Sequence, residues 1–238
     1  MKYEEALKKP FTDFKKLAIG IVLSIVPIVN FTIVQGFAIE SSGVGKAKPS
    51  KNMPEWKDWS YLFVKGIGAT LVKLIYALPA LALMGFGIGI AVGDMMGMMA
   101  NNLSPELTGQ MMGGGFAANE QIVQVLAQNW YMVLPGMMKA APLMMVGGVL
   151  ALLASFLAPV AVLNYLSKKD FSAAFDLGKV MHKAFNTRYA LAWITMLLVS
   201  VVLVAVLRFV PWFGGAIALF ALSVMSYTLY GQAFKETK

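Results

Sequence analysis

The residue types best suited to chemistry in this sequence are methionines that cluster in one short stretch. Four of them fall within five positions, Met95, Met96, Met98 and Met99, and thioether sulfurs are soft ligands that suit Cu(I). The chain has no cysteine and a single histidine, His182, so no stronger ligand stands nearby to complete a site. Because methionine recurs along the chain and fills irregular apolar contacts, packing is the favoured interpretation and copper binding an alternative.

Four lysines beside apolar segments form a second group of candidate residues. Lys65 and Lys73 are eight positions apart, which is about two turns along one face of a helix. Lys179 and Lys183 hold roughly equivalent places in an internal repeat. These side chains could contact an anionic substrate or a lipid head group. The alternative is that all of them reach to the membrane surface, as long basic side chains readily do.

No combination of residues points to catalysis. The sequence contains no P-loop, no dinucleotide-binding fingerprint and no nucleophile–base pattern, which are the signatures that such chemistry requires. His182 lies in an amphipathic stretch and is predicted to be a surface or interfacial residue. We therefore expect a protein that is not an enzyme and that uses no cofactor.

The elements that must position these residues are set by the composition, which is 58% hydrophobic and only 13% charged over 238 residues. A soluble domain of this size cannot bury so much apolar surface, and a spanning helix needs about 20 mostly apolar residues. The charge-free runs near or above that length are 17–39, 74–92, 140–166, 189–207 and 209–234. Such lengths fit helices rather than barrel strands. We predict an all-α, polytopic transmembrane helix bundle, a single multi-pass domain over residues 1–238 in the cell membrane.

Two pairs of similar segments indicate an internal duplication. "GGVLALLA" begins at Gly147 and "GGAIALFA" at Gly214, and a looser pair of matches precedes each of them in the same order. The inferred unit is a basic amphipathic helix, a span, a connection and a second span, over residues 53–169 and again over 171–238. An even number of spans separates the copies, so the two helical hairpins would be parallel repeats. The first copy carries a Met- and Gly-rich insert, 93–138, which we place outside the cell.

The N-terminal apolar run, 17–39, can be a fifth span or a re-entrant segment that follows the basic stretch 1–16. Of the 20 Lys and Arg residues, five precede the run and five lie in residues 40–65, whereas residues 93–138 have none. A complete span would divide ten basic residues equally between the two sides, against the positive-inside rule. Pro27 removes a backbone donor at the centre of the run. We favour re-entry, with both basic stretches on the cytoplasmic face.

Aromatic residues and glycines predict two further contacts. Trp56 and Trp59 stand at helical spacing before the first repeat span and are predicted to anchor the chain at head-group depth. Gly85, Gly89 and Gly93 lie four residues apart, a small-residue pattern that lets another helix approach closely. The partner helix can belong to the same chain or to another.

The chain resembles an uncharacterised archaeal and bacterial membrane family that is known only as a domain of unknown function. The resemblance rests on a Pro-x-Trp-x-Asp-Trp step followed by Leu-Phe-x-x-Gly, matched here by "PEWKDW" from Pro54 and "LFVKG" from Leu62, and on "LIYALPALAL", "FDLGKV" and "YGQAF". It covers nearly the whole chain apart from the insert. It implies the helical membrane architecture and transfers no activity.

From these observations we predict a non-enzymatic scaffold or assembly component that packs through its Gly-lined helix as a homo-oligomer or with a membrane partner. Its net charge of +8 is interpreted as contact with anionic lipid head groups on the cytoplasmic face and not with nucleic acid. The alternatives are a small transporter or channel built on the parallel repeat, and a copper-handling protein that uses the Met-rich loop. A polar cavity at the midplane would favour transport, whereas a packed apolar core would favour the scaffold.

Overall fold

A computed structural model describes residues 1–45, 51–102, 130–210 and 213–237. The chain forms two compact units, the first made of Met1–Tyr76 with Ala154–Lys238 and the second of Ala77–Leu153. The described residues form helices and no strand. The α-helices are α1 (Tyr3–Lys8), α2 (Phe14–Ile25), α3 (Pro27–Val29), α4 (Gln35–Glu40), α5 (Trp59–Asn102), α6 (Leu134–Lys168), α7 (Leu177–Ala184), α8 (Thr187–Leu207) and α9 (Gly214–Glu236).

Four of these helices, α5, α6, α8 and α9, are long and apolar enough to cross a membrane. The prediction of an all-α fold with four spanning helices is therefore confirmed. The helices extend beyond the charge-free runs, most of all α5, which continues to Asn102. Residues 93–102 of the predicted insert are thus helical, because methionine and alanine are good helix formers. The rest of the insert up to residue 129 lies outside the described residues.

The N-terminal run is a broken helix. Asp13 caps α2, because its carboxylate accepts hydrogen bonds from the backbone N–H groups of Lys15 and Lys16. The helix ends at Ile25. The next residue, Val26, is extended with φ −88° and ψ 112°, as expected for a residue that precedes proline. The chain then resumes through α3, a π-helical turn from Asn30 to Val34 and α4. Neither α2 nor α4 is long enough to cross a bilayer alone.

The two ends of this broken run lie together. The Lys9 Nζ atom donates to the Ser41 carbonyl oxygen at 2.9 Å, and the Lys16 Nζ atom pairs with Glu55 at 2.5 Å. The Trp56 indole Nε1 donates to the Lys16 carbonyl oxygen at 3.2 Å. We call residues 14–40 the N-terminal hairpin. Its geometry suits a re-entrant segment better than a fifth span, and its placement in the membrane stays a prediction.

The core of the first unit surrounds α9. Phe220, Ala221, Val224 and Leu229 are fully buried on it, and 67% of its most apolar stretch is buried, against 11% for α8. α9 contacts α1, α2, α4 and α8. The broken hairpin therefore covers part of the C-terminal helix.

The two predicted repeat copies differ where each begins. In the first copy, the amphipathic stretch and the span are one continuous helix, α5. In the second copy, α7 ends at Ala184, and α8 begins separately at Thr187 behind the N-cap Asn186. The internal repeat stays a prediction.

The second unit contains the parts of α5 and α6 between Ala77 and Leu153. A Cβ atom at Gly87 would meet the Met144 side chain at 3.0 Å, and one at Gly147 would meet Met84 at 2.6 Å. An ion pair joins Lys139 to Asp94 at 2.6 Å. Glycines and methionines therefore make the close contacts of this unit, in keeping with the adaptable packing of methionine.

Candidate functional site

The closest backbone approach in the first unit joins the N-terminal hairpin to α5. A Cβ atom built at Gly36 would overlap the Leu62 carbonyl group, and one built at Gly66 would overlap the Thr32 carbonyl group. Since these obstacles are backbone atoms, neither position can hold a larger residue without moving a helix. We call this contact the Gly36–Gly66 crossing.

Three polar contacts follow the same crossing. The Thr70 hydroxyl donates to the Phe31 carbonyl oxygen at 2.5 Å. Lys73 Nζ donates to Gln35 Oε1 at 2.6 Å. Lys65 pairs with Glu40, with side chains only 9% and 11% exposed, and the Tyr61 hydroxyl also donates to Glu40 at 3.3 Å. Two of the predicted lysines thus lie on one face of α5 and hold α4, the second half of the N-terminal hairpin, against it.

Lys73 is the most unusual of these residues, because it bonds a neutral amide inside a helix long enough to span the membrane. Its Nζ atom also lies 5.0 Å from the ring centre of Tyr227, whose hydroxyl is buried with no hydrogen-bond partner among the described residues. Tyr227 stands nine residues before Glu236 on α9, which is about 14 Å along the helix axis. Ionisable residues at such depth commonly mark ion or solute pathways.

Other lysines of the first unit donate hydrogen bonds to backbone carbonyl groups at or just after the ends of helices. The Lys235 Nζ atom donates to the Gly43 carbonyl oxygen at 2.5 Å, just after α4. Lys183 donates to the carbonyl oxygens of Phe234 and Thr237 at 3.3 and 2.9 Å, at the end of α9. Helix C-termini leave carbonyl groups unpaired and carry partial negative charge. Burial, and secondarily the charge of Lys168, lower the pKa of Lys183. The structure therefore places this predicted lipid contact on a helix end.

Lys179, the fourth predicted lysine, lies on the exposed face of α7. It pairs with Asp176, the N-cap of that helix. The hydrogen bonds from the side chain and then the backbone of Lys179 lower the pKa of the Asp176 carboxyl. The four lysines therefore form no single ring in the first unit. Lys65 and Lys73 bond side chains of α4 at the Gly36–Gly66 crossing. Lys179 pairs with the N-cap of α7, and Lys183 bonds carbonyl groups at the end of α9.

Two cavities of the first unit lie beside residues 40–45, where several lysines come together; we call this region the basic end. One, of about 370 Å³, is lined by Glu40, Lys65, Tyr61, Tyr165 and Lys169 together with apolar side chains; we call it the Lys169 cavity. The other, of about 320 Å³, includes Lys2, Lys9, Lys51 and Lys235 in its lining, with Glu5 and Glu236. A third is an open groove on α8 that ends at Arg208. None of these three is lined by Lys73, Gln35 or Tyr227.

The predicted aromatic anchors differ from each other in their surroundings. Trp56 stacks on Phe37 with ring centres 3.8 Å apart and also lies 6.2 Å from Phe220. It is therefore partly buried and packs against the N-terminal hairpin, and its role as an interfacial anchor stays a prediction. Trp59 is 43% exposed, which suits the predicted role.

The predicted glycine face is uncovered within the described chain. No described atom lies within 4 Å of a Cβ atom built at Gly85, Gly89 or Gly93. Among the described residues, the close helix contact at a glycine is the Gly36–Gly66 crossing and does not involve this face. Contact with a second molecule stays a prediction.

The methionine cluster lies on α5 and not in a loop. Met96 is 45% exposed, whereas Met95 and Met98 are partly buried; the side chain of Met99 lies outside the described residues. Among the described residues, no group of three His, Cys, Asp or Glu side chains could hold a metal ion. Copper binding by Met95, Met96, Met98 and Met99 stays an untested alternative.

Sequence reasoning missed the partners of the lysines and the residues of the crossing. Gln35 and Glu40 are 38 and 25 positions from the lysines they contact, so no local pattern links them. Gly66 is part of the "LFVKG" match. Its close contact with the Thr32 carbonyl group explains why a residue without a side chain is needed there. Lys169 was not singled out. Its backbone lies in the left-handed region with φ 56°, which no sequence pattern indicated.

A chain with four helices able to span a bilayer, a buried C-terminal helix and a basic end defines a polytopic helical membrane protein. It matches the family described as "Protein of unknown function (DUF4013)" over residues 19–212. The chain belongs to this family, which confirms the resemblance. No curated protein and no solved structure matches the chain.

Proposed function

We propose that this protein is a non-enzymatic scaffold of the cell membrane, which associates with other membrane helices and rests on anionic lipid at its basic end. The observation that carries the proposal is the closed apolar core around α9, where Phe220, Ala221, Val224 and Leu229 are fully buried. A transporter needs a polar path through such a core. Two cavities of the described chain with several charged side chains in their lining lie away from this core, at the basic end.

The uncovered glycine face supports the part of this proposal that concerns association with other membrane helices. In lipid, helices associate through close van der Waals contact, which small residues allow. Gly87 and Gly147 already serve the contacts within the second unit. No described residue covers Gly85, Gly89 and Gly93, and this face is the surface on which a helix of a second copy of this chain would pack.

One observation favours the second candidate function, a small transporter or channel. Lys73 bonds only the neutral Gln35 among the described residues and lies next to a helix that Pro27 and a π-helical turn interrupt. Interrupted helices beside intramembrane ionisable residues are typical of transport sites.

Flux through reconstituted protein separates the two candidates. The purified protein is placed in liposomes, and the movement of protons, potassium and chloride is followed with fluorescent indicators. A scaffold should pass these ions no faster than empty liposomes do. Ion flux that disappears in Lys73→Met but persists in Lys179→Met, a lysine on the exposed face of α7, would overturn the scaffold proposal and establish the transporter.

The mass of the detergent-solubilised protein tests the association half separately. Light scattering coupled to size exclusion should give a dimer or a larger assembly. A strictly monomeric protein across a range of concentrations and detergents would contradict self-association.

A further inference from the structure

The Lys169 cavity combines features of a small-molecule site. Its volume of about 370 Å³ lies within the range of about 300–1,000 Å³ that is usual for ligand pockets. Val44, Val64 and Leu166 form apolar walls, and the charged groups Glu40, Lys65 and Lys169 are part of the same lining. Val64 is 66% exposed, so the cavity is open where an apolar residue of α5 faces outward.

The charges of this lining do not balance among the described residues. Lys65 and Glu40 form an ion pair, which leaves the positive charge of Lys169. Neither Lys169 nor the Tyr165 hydroxyl makes a hydrogen bond or ion pair with any described residue. The lining therefore offers one uncompensated positive charge and a free hydroxyl donor, next to apolar walls.

The backbone of Lys169 provides a second, independent observation. Among the described residues it is the one non-glycine position in the left-handed region, with φ 56°, directly after α6 ends at Lys168. Glycine is the residue that usually follows a helix in this conformation, because it has no Cβ penalty. A lysine held there against that preference suggests that its side chain is used.

We propose that the Lys169 cavity binds the phosphodiester head group of an anionic glycerophospholipid. Lys169 and Tyr165 donate to the phosphate oxygens, and Val44, Val64 and Leu166 contact the glycerol backbone and the first methylene groups. A phosphodiester carries one negative charge, which matches the single uncompensated lysine. A choline or ethanolamine head group would add a positive charge for which the lining has no unpaired acid. This inference rests on the proposed contact with anionic lipid and names one molecular site for it.

The position of the cavity along the helices agrees with a lipid as the source of the phosphate. Lys65 is six residues into α5 from Trp59, about 9 Å along the axis, and Lys169 follows the last turn of α6. Both residues thus stand near the end of a helix long enough to span the bilayer, where head groups meet hydrocarbon.

The test uses the full-length protein in neutral detergent with three probes: phosphatidylglycerol, phosphatidylcholine and inorganic phosphate. Binding is measured by native mass spectrometry and by the rise in unfolding temperature. The wild type should bind phosphatidylglycerol in preference to the other two. Lys169→Gly should weaken this binding about tenfold, as expected when a charge-assisted hydrogen bond is lost. Tyr165→Phe should weaken it less, because a neutral donor contributes less.

Lys168→Gln is the matched control, since it removes one positive charge from the neighbouring exposed position. It should bind phosphatidylglycerol like the wild type. Lys169→Gly should also unfold at the same or a higher temperature without lipid, because glycine suits a left-handed backbone. A loss of binding in this variant therefore cannot be attributed to misfolding.

Three results would overturn the inference, each in a distinguishable way. If Lys169→Gly and wild type bind phosphatidylglycerol equally, the cavity is not the site, although the proposed anionic-lipid contact stands. If inorganic phosphate competes as well as the lipid does, the site serves a soluble anion. If the wild type binds phosphatidylcholine as tightly as phosphatidylglycerol, the proposed preference for anionic lipid fails together with the site.

Discussion

Two stretches of α5 carry glycines, and the protein uses them in opposite ways. Gly66 lies against the Thr32 carbonyl group with no room for a methyl group, whereas Gly85, Gly89 and Gly93 have no described atom within 4 Å of a built Cβ. The first stretch has two glycines only two residues apart, Gly66 and Gly68, and the second has the regular four-residue spacing. The regular spacing thus marks a surface that no described residue covers, while Gly66, which lacks that spacing, makes the closer contact.

The reason lies in the geometry of a helix crossing. Two backbones can touch at one point when each helix contributes one small residue there, and Gly36 on α4 supplies the partner for Gly66. A row of glycines along one helix is needed only when a neighbour follows that helix over several turns. The spacing of glycines within one helix therefore predicts a groove on that helix. It does not predict a crossing, because a crossing depends on two residues that are far apart in sequence.

The largest expected effect that tests this comparison is that of Gly66→Ala. The added methyl group would overlap the carbonyl group of Thr32, a backbone obstacle that no side-chain rotation can relieve. We expect a loss of about 3 kcal/mol in the free energy of unfolding, the upper end of typical overpacking costs. Thermal unfolding in detergent measures it. Gly85→Ala on the same helix is the control and should be neutral or stabilising by up to about 1 kcal/mol, since alanine favours helix. Equal effects at both positions would contradict the comparison.

Gly36→Ala should have the next largest effect, about 2 kcal/mol by the same overpacking cost. Its methyl group would meet the Leu62 carbonyl group, and α4 is a short helix that can shift more easily than α5. Once the crossing has opened, a second methyl group should add little, so the double variant with Gly66→Ala should cost less than the sum of the two single changes. Strict additivity of the unfolding free energies would show that the two glycines do not share one crossing.

Thr70→Val tests the polar side of the same crossing with a smaller effect. The substitution keeps the shape of the side chain and removes the hydroxyl that donates to the Phe31 carbonyl oxygen. We expect a loss of about 1 kcal/mol, the usual net contribution of one hydrogen bond. Thr195→Val on α8 is the matched control, because its hydroxyl bonds only the Leu191 carbonyl oxygen of its own helix. A larger loss in the control than in Thr70→Val would indicate that the hairpin gains nothing from this bond.

The class of the protein and its four spanning helices could be predicted from sequence, because bilayer thickness fixes the length of an apolar helix. The break at Pro27 was also visible, since proline acts on its immediate neighbours. The partners across the hairpin were not visible. Lys65 and Lys73 were singled out as cations, yet their contacts Glu40 and Gln35 come from another helix, and only the fold brings them within hydrogen-bonding distance.

The smallest effect on stability, and the most informative one for function, is expected for Gly89→Leu. Since no described atom lies within 4 Å of a Cβ at this position, the leucine side chain should meet no described residue of its own chain. The unfolding temperature of the monomeric protein should stay the same or rise slightly, because leucine favours helix over glycine by up to about 1 kcal/mol.

Its effect on assembly should be much larger. If the glycine face packs against a second copy, a bulky side chain would separate the two backbones, and light scattering should show a smaller particle. Gly89→Ala should retain part of the association, because alanine still fits many close crossings. Leu198→Ala, a change at an exposed position of a different helix, α8, should leave the assembly intact. An oligomer of unchanged mass in Gly89→Leu would mean that the glycines face only lipid, and the scaffold proposal would lose the surface on which its self-association depends.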